Sequence, residues 1–214
     1  MDRPIDVQFH KKFIENIALL ILKHIFPDEF LQLKMYDKPD LQDRERLVGV
    51  EVVEARSQQI ARIEGEFLKM QFGKKSKEER LKCKQKIEIN GGELDSISLS
   101  YPIRTAEDEK CLFQNTIRLK MEHLPSYRNE GFQRMGLFMF YNEPPIPFKP
   151  SELNKWFIDI QNEYQDKYDF LFFGYHCGGI FCDFAKSIYE VYTIDKNDFD
   201  EICKKAKMEV KINA

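Results

Sequence analysis

Residue type and spacing make Asp40 and Glu51 the best candidates for a chemical role in this chain. Asp40 follows Pro39 in a short extended segment, and Glu51 lies within the apolar run 47–54, which is typical of a buried strand. A carboxylate among valine and leucine side chains destabilises a fold by several kcal/mol unless its charge is compensated. A divalent cation shared with Asp40 would compensate it, so the pair predicts a metal-dependent site.

Magnesium is the cation that this ligand set suits best. It binds hard oxygen ligands and keeps several of its waters, so the protein has to supply only two or three oxygens. Asp40 and Glu51, on neighbouring strands of a predicted hairpin, would supply two carboxylate oxygens. The carbonyl of Val52 would supply a third oxygen. Such a site is suited to metal-assisted hydrolysis of a phosphodiester, in which a nearby lysine stabilises the charge on the phosphate.

Each carboxylate also has an ordinary structural interpretation. Asp40 is favoured in a turn after proline. Glu51 could face solvent on an edge strand, or pair with Arg56 or Arg62. Glu15, with lysines at positions 11 and 12, could be a solvated helix residue. No histidine pair at metal-ligand spacing, phosphate-binding loop or dinucleotide fingerprint competes with the two carboxylates as a chemical site.

The segment Pro39–Asp40, the strand Gly49–Val53 and the helix around Glu15 together resemble the PD-(D/E)XK nuclease superfamily. The resemblance implies a restriction-endonuclease-like core, in which a central mixed β-sheet is flanked by helices on both faces. It also implies Mg²⁺ or Mn²⁺ as cofactor and hydrolysis of DNA, or sometimes RNA. In that family, the residues corresponding to Glu15, Asp40 and Glu51 are catalytic.

The family's lysine is missing from its usual place two residues after the glutamate, where this chain has Val53. Some members supply the lysine from a helix that packs over the site. Lys120, on a predicted helix 112–124, is our preferred catalytic lysine, Lys69 is the alternative, and each could also be an ordinary surface residue. Gln114 on the same helix is a predicted nucleic-acid contact. The missing lysine also leaves open a non-catalytic module on the same fold that binds nucleic acid or protein.

Residues 69–86 carry the strongest local positive charge of the chain, with eight basic residues against two glutamates. Two interpretations are open: a solvated, mobile segment, or an inserted arm that contacts phosphates. On the second, the arm would bind nucleic acid through Lys74, Lys75, Lys77 and Arg80.

Hydrophobic periodicity predicts which elements position these residues. Near-continuous apolar strands alternate with helices, which favours an α/β domain whose central sheet is covered on both faces. The predicted helices are 8–25, 57–71, 112–124, 151–165 and 198–207, and the predicted strands are 30–35, 47–53, 97–100, 135–141, 168–175, 180–184 and 188–194.

Composition sets broad limits on the class of protein. The 214 residues, 43% of them hydrophobic, suit a single domain spanning residues 1–214. The net charge of −3 excludes a global basic field, so nucleic acid, DNA in the first place, would be held by a local patch. Five cysteines without a Cys-x-x-Cys spacing are typical of reduced thiols in a cytoplasmic protein. The apolar run 17–22 is too short to span a bilayer, so no membrane partner is expected. A homodimer is compatible with the resemblance.

Overall fold

The structure is a computed structural model that describes residues 7–73, 75–95, 98–102, 104–141, 149–175 and 177–212. Within these ranges the helices are α1 (Val7–Ile25), α2 (Pro27–Phe30), α3 (Gln58–Phe72), α4 (Lys77–Ile89), α5 (Ala106–Met121), α6 (Leu124–Asn129), α7 (Pro150–Gln161) and α8 (Lys196–Ile212). The strands are β1 (Lys34–Met35), β2 (Leu41–Asp43), β3 (Val48–Glu54), β4 (Glu93–Leu94), β5 (Leu99–Ser100), β6 (Arg134–Tyr141), β7 (Phe170–Tyr175), β8 (Gly178–Asp183) and β9 (Ile188–Thr193).

A seven-stranded mixed sheet forms the centre of the domain, with strand order β1-β2-β3-β6-β7-β8-β9. The neighbours β3, β6 and β7 run parallel, and the remaining pairs are antiparallel. A separate antiparallel pair, β4 and β5, lies outside this sheet. The predicted α/β class with a central mixed sheet is therefore confirmed.

Helices cover both faces of the sheet, because its central strands alternate apolar residues between two cores. On β6, Phe138 and Phe140 point into a core formed with α1, α2 and α8. Leu137 and Met139 point the other way, into a core formed with α5, α6 and α7. None of the helices within the described ranges is both long enough and apolar enough to cross a bilayer.

The β2–β3 hairpin is the part of the fold that positions the two carboxylates. Leu41 pairs with Val50 in an antiparallel register. Val48, Val50 and Val52 point into the core beside α1. Because side chains alternate along a strand, Glu51 points to the opposite face, where α5 and α6 pack.

Gly49→Ala is expected to destabilise this hairpin, whereas Gly65→Ala in α3 is expected to stabilise its helix. A Cβ on Gly49 would lie 2.6 Å from Met135 Sδ and 2.7 Å from Pro39 Cγ, so the segment that carries Asp40 would have to shift. Overpacking of this kind destabilises a fold by about 1–3 kcal/mol. No heavy atom lies within 4 Å of a Cβ added to Gly65, and alanine there should contribute about 0.5–1 kcal/mol through helix propensity.

Chemical denaturation of the two glycine variants measures the expected loss of stability in Gly49→Ala and the expected gain in Gly65→Ala. If the Gly49→Ala protein were as stable as the wild type, the close approach of Pro39 to β3 would be contradicted.

Several predicted element boundaries are wrong; besides those that follow, helix 151–165 ends at Gln161, helix 198–207 runs from Lys196 to Ile212, and strand β2 was not predicted. The predicted strand 30–35 begins instead as helix α2, whose first residue is Pro27, and only Lys34 and Met35 pair with β2. The predicted helix 112–124 begins at Ala106, where Thr105 caps it, and ends at Met121. Ser151 does not cap α7, because that helix already begins at Pro150.

Most of the basic segment lies on two helices, α3 and α4. Residue 72 ends α3, and α4 begins after Ser76, whose side chain and backbone form a capping box with Glu79. Cys83 and Ile87 are buried. In the predicted strand 97–100, residue 97 lies outside the described ranges, and Leu99–Ser100 forms β5 of the small sheet.

Candidate active site

Asp40 and Glu51 lie side by side at the end of the β2–β3 ladder. Asp40 comes one residue before Leu41, whose partner is Val50, so the register places Asp40 opposite Glu51. Their side chains are only 3% and 4% exposed. Oδ2 of Asp40 accepts a hydrogen bond of 2.8 Å from the backbone N–H of Val52. Asp40 therefore ties the start of β2 to the middle of β3.

Glu51 is bound by a lysine and a tyrosine from two helices above it. The Lys120 ammonium, in the last turn of α5, donates to Glu51 Oε2, and the Tyr127 hydroxyl of α6 donates to Glu51 Oε1. Tyr168 fixes the backbone here, because its hydroxyl donates to the Lys120 carbonyl at 3.1 Å. The solvent-facing interpretation of Glu51 is therefore wrong.

Two other basic residues considered for this site, Arg56 and Lys69, form ion pairs with other glutamates. Arg56, one suggested partner of Glu51, forms an ion pair with Glu64. Lys69, the alternative catalytic lysine, lies on α3 and pairs with Glu66 at 2.7 Å. The structure thus favours Lys120 as the lysine of the site.

Glu15 joins the site from the other side, through helix α1. Lys11 Nζ lies 3.2 Å from Glu15 Oε1 and 3.5 Å from Asp40 Oδ1, so it bridges the two carboxylates. Glu15 is buried, and the Lys11 side chain is 62% exposed. The solvated interpretation of Glu15 is wrong, and Lys11 is a site residue that sequence reasoning missed.

Burial and mutual repulsion disfavour the charged forms of two carboxyl groups. Burial, followed by the charge of Glu51, raises the pKa of Asp40, and the Val52 hydrogen bond opposes this effect only in part. Burial, followed by the charge of Asp40, raises the pKa of Glu15 to about 7. A site of this kind has affinity for added positive charge.

The stability of the cation-free protein is expected to fall as pH rises through the titration of Glu15. Its pKa is about 7 in the folded state against 4.5 when unperturbed, so the folded state binds more protons between these values. Above pH 7, where Glu15 is ionised in both states, the fold has lost about 3 kcal/mol of stability relative to pH values below 4.5. Glu15→Gln should remove this loss.

Denaturant titrations with a chelator present, at about pH 5 and about pH 8, measure how the free energy of unfolding of wild type and Glu15→Gln changes with pH. The control is Glu107→Gln, because Glu107 is an exposed residue of α5. Equal pH slopes for wild type and Glu15→Gln would contradict the buried, coupled carboxyl pair.

Tyr127 is the second site residue that the sequence did not reveal. Burial, followed by its hydrogen bond to Glu51, raises the pKa of the phenol. The hydroxyl therefore stays protonated at neutral pH and remains a donor to the carboxylate. Tyr127 lies seven residues after Lys120, but the helix is interrupted between Met121 and Leu124, so helical spacing did not connect the two.

The oxygens of this site fit magnesium or manganese better than zinc. Asp40 and Glu51 supply carboxylate oxygens. The Val52 N–H donates a hydrogen bond to Asp40, and the Val52 carbonyl points to the same edge of β3 as this N–H. Two carboxylates, a carbonyl and retained waters are a donor set for Mg²⁺. In the part of the chain that the structure describes, no three His, Cys, Asp or Glu side chains form a ready metal cluster.

The described candidates for nucleic-acid contact lie just before α4, on α4 and on α5, rather than on the β2–β3 hairpin. Lys75 pairs with Glu79 at 3.8 Å. Lys77 and Arg80 border a groove of about 570 Å³ that also involves Met70. Lys74 lies outside the described residues. Gln114 is half-buried on α5, about 9 Å before Lys120 along the helix axis, so these contacts stay predictions.

The chain matches no protein-family model, and no curated protein or solved structure is significantly similar to it.

Proposed function

We propose that this chain is a metal-dependent nuclease-like protein that hydrolyses phosphodiester bonds, with DNA the first substrate to test and RNA the second. The observation that carries the proposal is the convergence of Asp40, Glu51 and Lys120 from two strands and a distant helix. A lysine beside the carboxylate pair replaces the one that Val53 does not provide. This arrangement keeps the chemical groups of the nuclease motif although the motif itself is incomplete.

Each residue has a distinct role in the proposed reaction. Asp40, Glu51 and the Val52 carbonyl would hold Mg²⁺ or Mn²⁺, which supplies Lewis-acid stabilisation of a phosphate oxygen. Glu15 is suited to accept the proton of the attacking water, because its pKa of about 7 lies near neutral pH. The Lys120 ammonium stabilises the charge that develops on the phosphate. Lys11 holds the Glu15 and Asp40 carboxylates in position.

A cleavage screen tests this proposal. Purified protein is incubated with single- and double-stranded DNA and RNA in magnesium, manganese or chelator. We expect shortened products with a divalent cation and intact substrate with chelator. Intact substrates under every condition would contradict catalysis.

A non-catalytic binding module on the same fold is the second candidate function. Both oxygens of Glu51 already have partners, Lys120 and Tyr127, and a buried carboxylate satisfied in this way is compatible with a structural role. Binding of intact nucleic acid or a protein, without divalent-cation affinity, would favour this candidate.

A further inference from the structure

The two oxygens of Glu51 have partners of different kinds. Oε1 accepts from Tyr127, whose hydroxyl is buried in the core beside α5. Oε2 accepts from Lys120, whose side chain is 21% exposed. One oxygen thus faces a fixed neutral donor, and the other faces a flexible cation that reaches solvent.

This difference determines which contact can be exchanged. Tyr127 is a neutral donor, and burial in the core beside α5 restricts its ring. Lys120 has a long side chain, and its ammonium regains water when it leaves the carboxylate. The Lys120 contact is therefore the one that gives way to another positive charge at Oε2.

We infer that Tyr127 is a positioning residue that holds Glu51 so that Oε2 alone is offered to a divalent cation, in exchange for Lys120. The inference rests on the proposed function and adds to it how the site is organised. Once released from Glu51, the Lys120 ammonium is free to pair with a phosphate. The same carboxylate then either binds Lys120 or holds the cation through Oε2.

Tyr127→Phe tests the positioning role, and Tyr192→Phe is its matched control. Each tyrosine donates its hydroxyl hydrogen bond to a glutamate, Glu51 and Glu190 respectively, but Tyr192 lies on β9, at the edge of the sheet opposite the β2–β3 hairpin. Loss of a donor that orients a metal ligand lowers metal affinity about 10- to 100-fold. We expect that loss in Tyr127→Phe when Mn²⁺ binding is measured by calorimetry, and a change of less than about twofold in Tyr192→Phe.

Chemical denaturation of each variant separates positioning from a general loss of stability. Mn²⁺ affinity is compared only under conditions in which wild type, Tyr127→Phe and Tyr192→Phe are all fully folded. There the affinity should still be lower in Tyr127→Phe, because the Glu51 carboxylate is no longer held by a hydroxyl donor. Equal affinity in wild type and Tyr127→Phe would overturn the inference.

Lysine acylation on the wild-type protein tests the exchange without any substitution. Mass spectrometry after a brief pulse of an amine-acylating reagent should show greater modification of Lys120 with Mn²⁺ than with chelator. Lys110, on the same helix and paired with Glu107, should be modified equally in both. If Mn²⁺ binds but Lys120 modification stays the same or falls, the exchange is overturned and the proposed function stands. If the wild type binds no Mn²⁺, the proposed function and this inference both fail.

Discussion

Asp40→Asn is expected to abolish cation-dependent cleavage of nucleic acid and to leave the fold intact. The substitution removes a negative charge that Glu51 and burial already disfavour, so the free energy of unfolding should not decrease. An asparagine oxygen still accepts the Val52 N–H, which preserves the link between β2 and β3. The variant should therefore lose only the affinity of the site for a divalent cation, on which the proposed cleavage depends.

The matched control is Asp43→Asn in the same hairpin. Asp43 is also buried, but its Oδ1 accepts from the backbone N–H groups of Glu45 and Arg46 in the turn, away from Glu51. Asp43→Asn should cleave like the wild type. Cleavage that survives in Asp40→Asn would remove Asp40 from the mechanism.

Lys120→Met is expected to reduce cleavage by about 10²- to 10³-fold, the usual effect of losing one group that stabilises transition-state charge. Methionine keeps most of the aliphatic stem of the lysine. Divalent-cation binding should persist or become tighter, because Lys120 no longer competes for Glu51 Oε2. Loss of cleavage with retained cation binding is therefore the signature of the lysine's role.

Lys110→Met is the control for Lys120→Met, since Lys110 lies on the same helix and pairs with the exposed Glu107. It should leave cleavage unchanged. A Lys120→Met protein with wild-type cleavage would show that the lysine missing from position 53 has no replacement on α5.

The carboxylate pair could be predicted because its signals are local in sequence. The polar residues 43–46 before the apolar run 47–53 indicate a hairpin turn, although strand β2 itself, residues 41–43, is too short and polar to be predicted. Alternation along β3 then determines that Glu51 faces away from Val50 and Val52. The helix that carries Lys120 could be predicted because Phe113, Ile117 and Met121 form one apolar face, and all three are buried. Spacing alone did not choose between Lys120 and Lys69, and only the packing of α5 over β3 does.

Lys11 and Tyr127 were missed because tertiary packing brings them to the site. Lys11 is four residues before Glu15, and this spacing on a helix does indicate an ion pair between them. Its contact with Asp40 depends on how α1 packs beside the hairpin. Tyr127 follows a helix break, and only the packing of α6 brings its hydroxyl to Glu51.

The helix in the basic segment has a local signal in the spacing of its charges, which a count of charges does not show. Glu78 lies four residues before Lys82, and their charged groups are 3.1 Å apart. Lys84 and Glu88 form another such pair at 3.9 Å. This spacing is typical of an exposed helix, which is what α4 is.

The most direct test of the proposed metal site is calorimetric titration of Mg²⁺ and Mn²⁺ into the wild type and into an Asp40→Asn, Glu51→Gln double variant. We expect saturable binding to the wild type and none to the double variant. Absence of binding to the wild type, even with a nuclease-resistant nucleic acid present, would show that the two carboxylates are structural and would contradict a metal-dependent function.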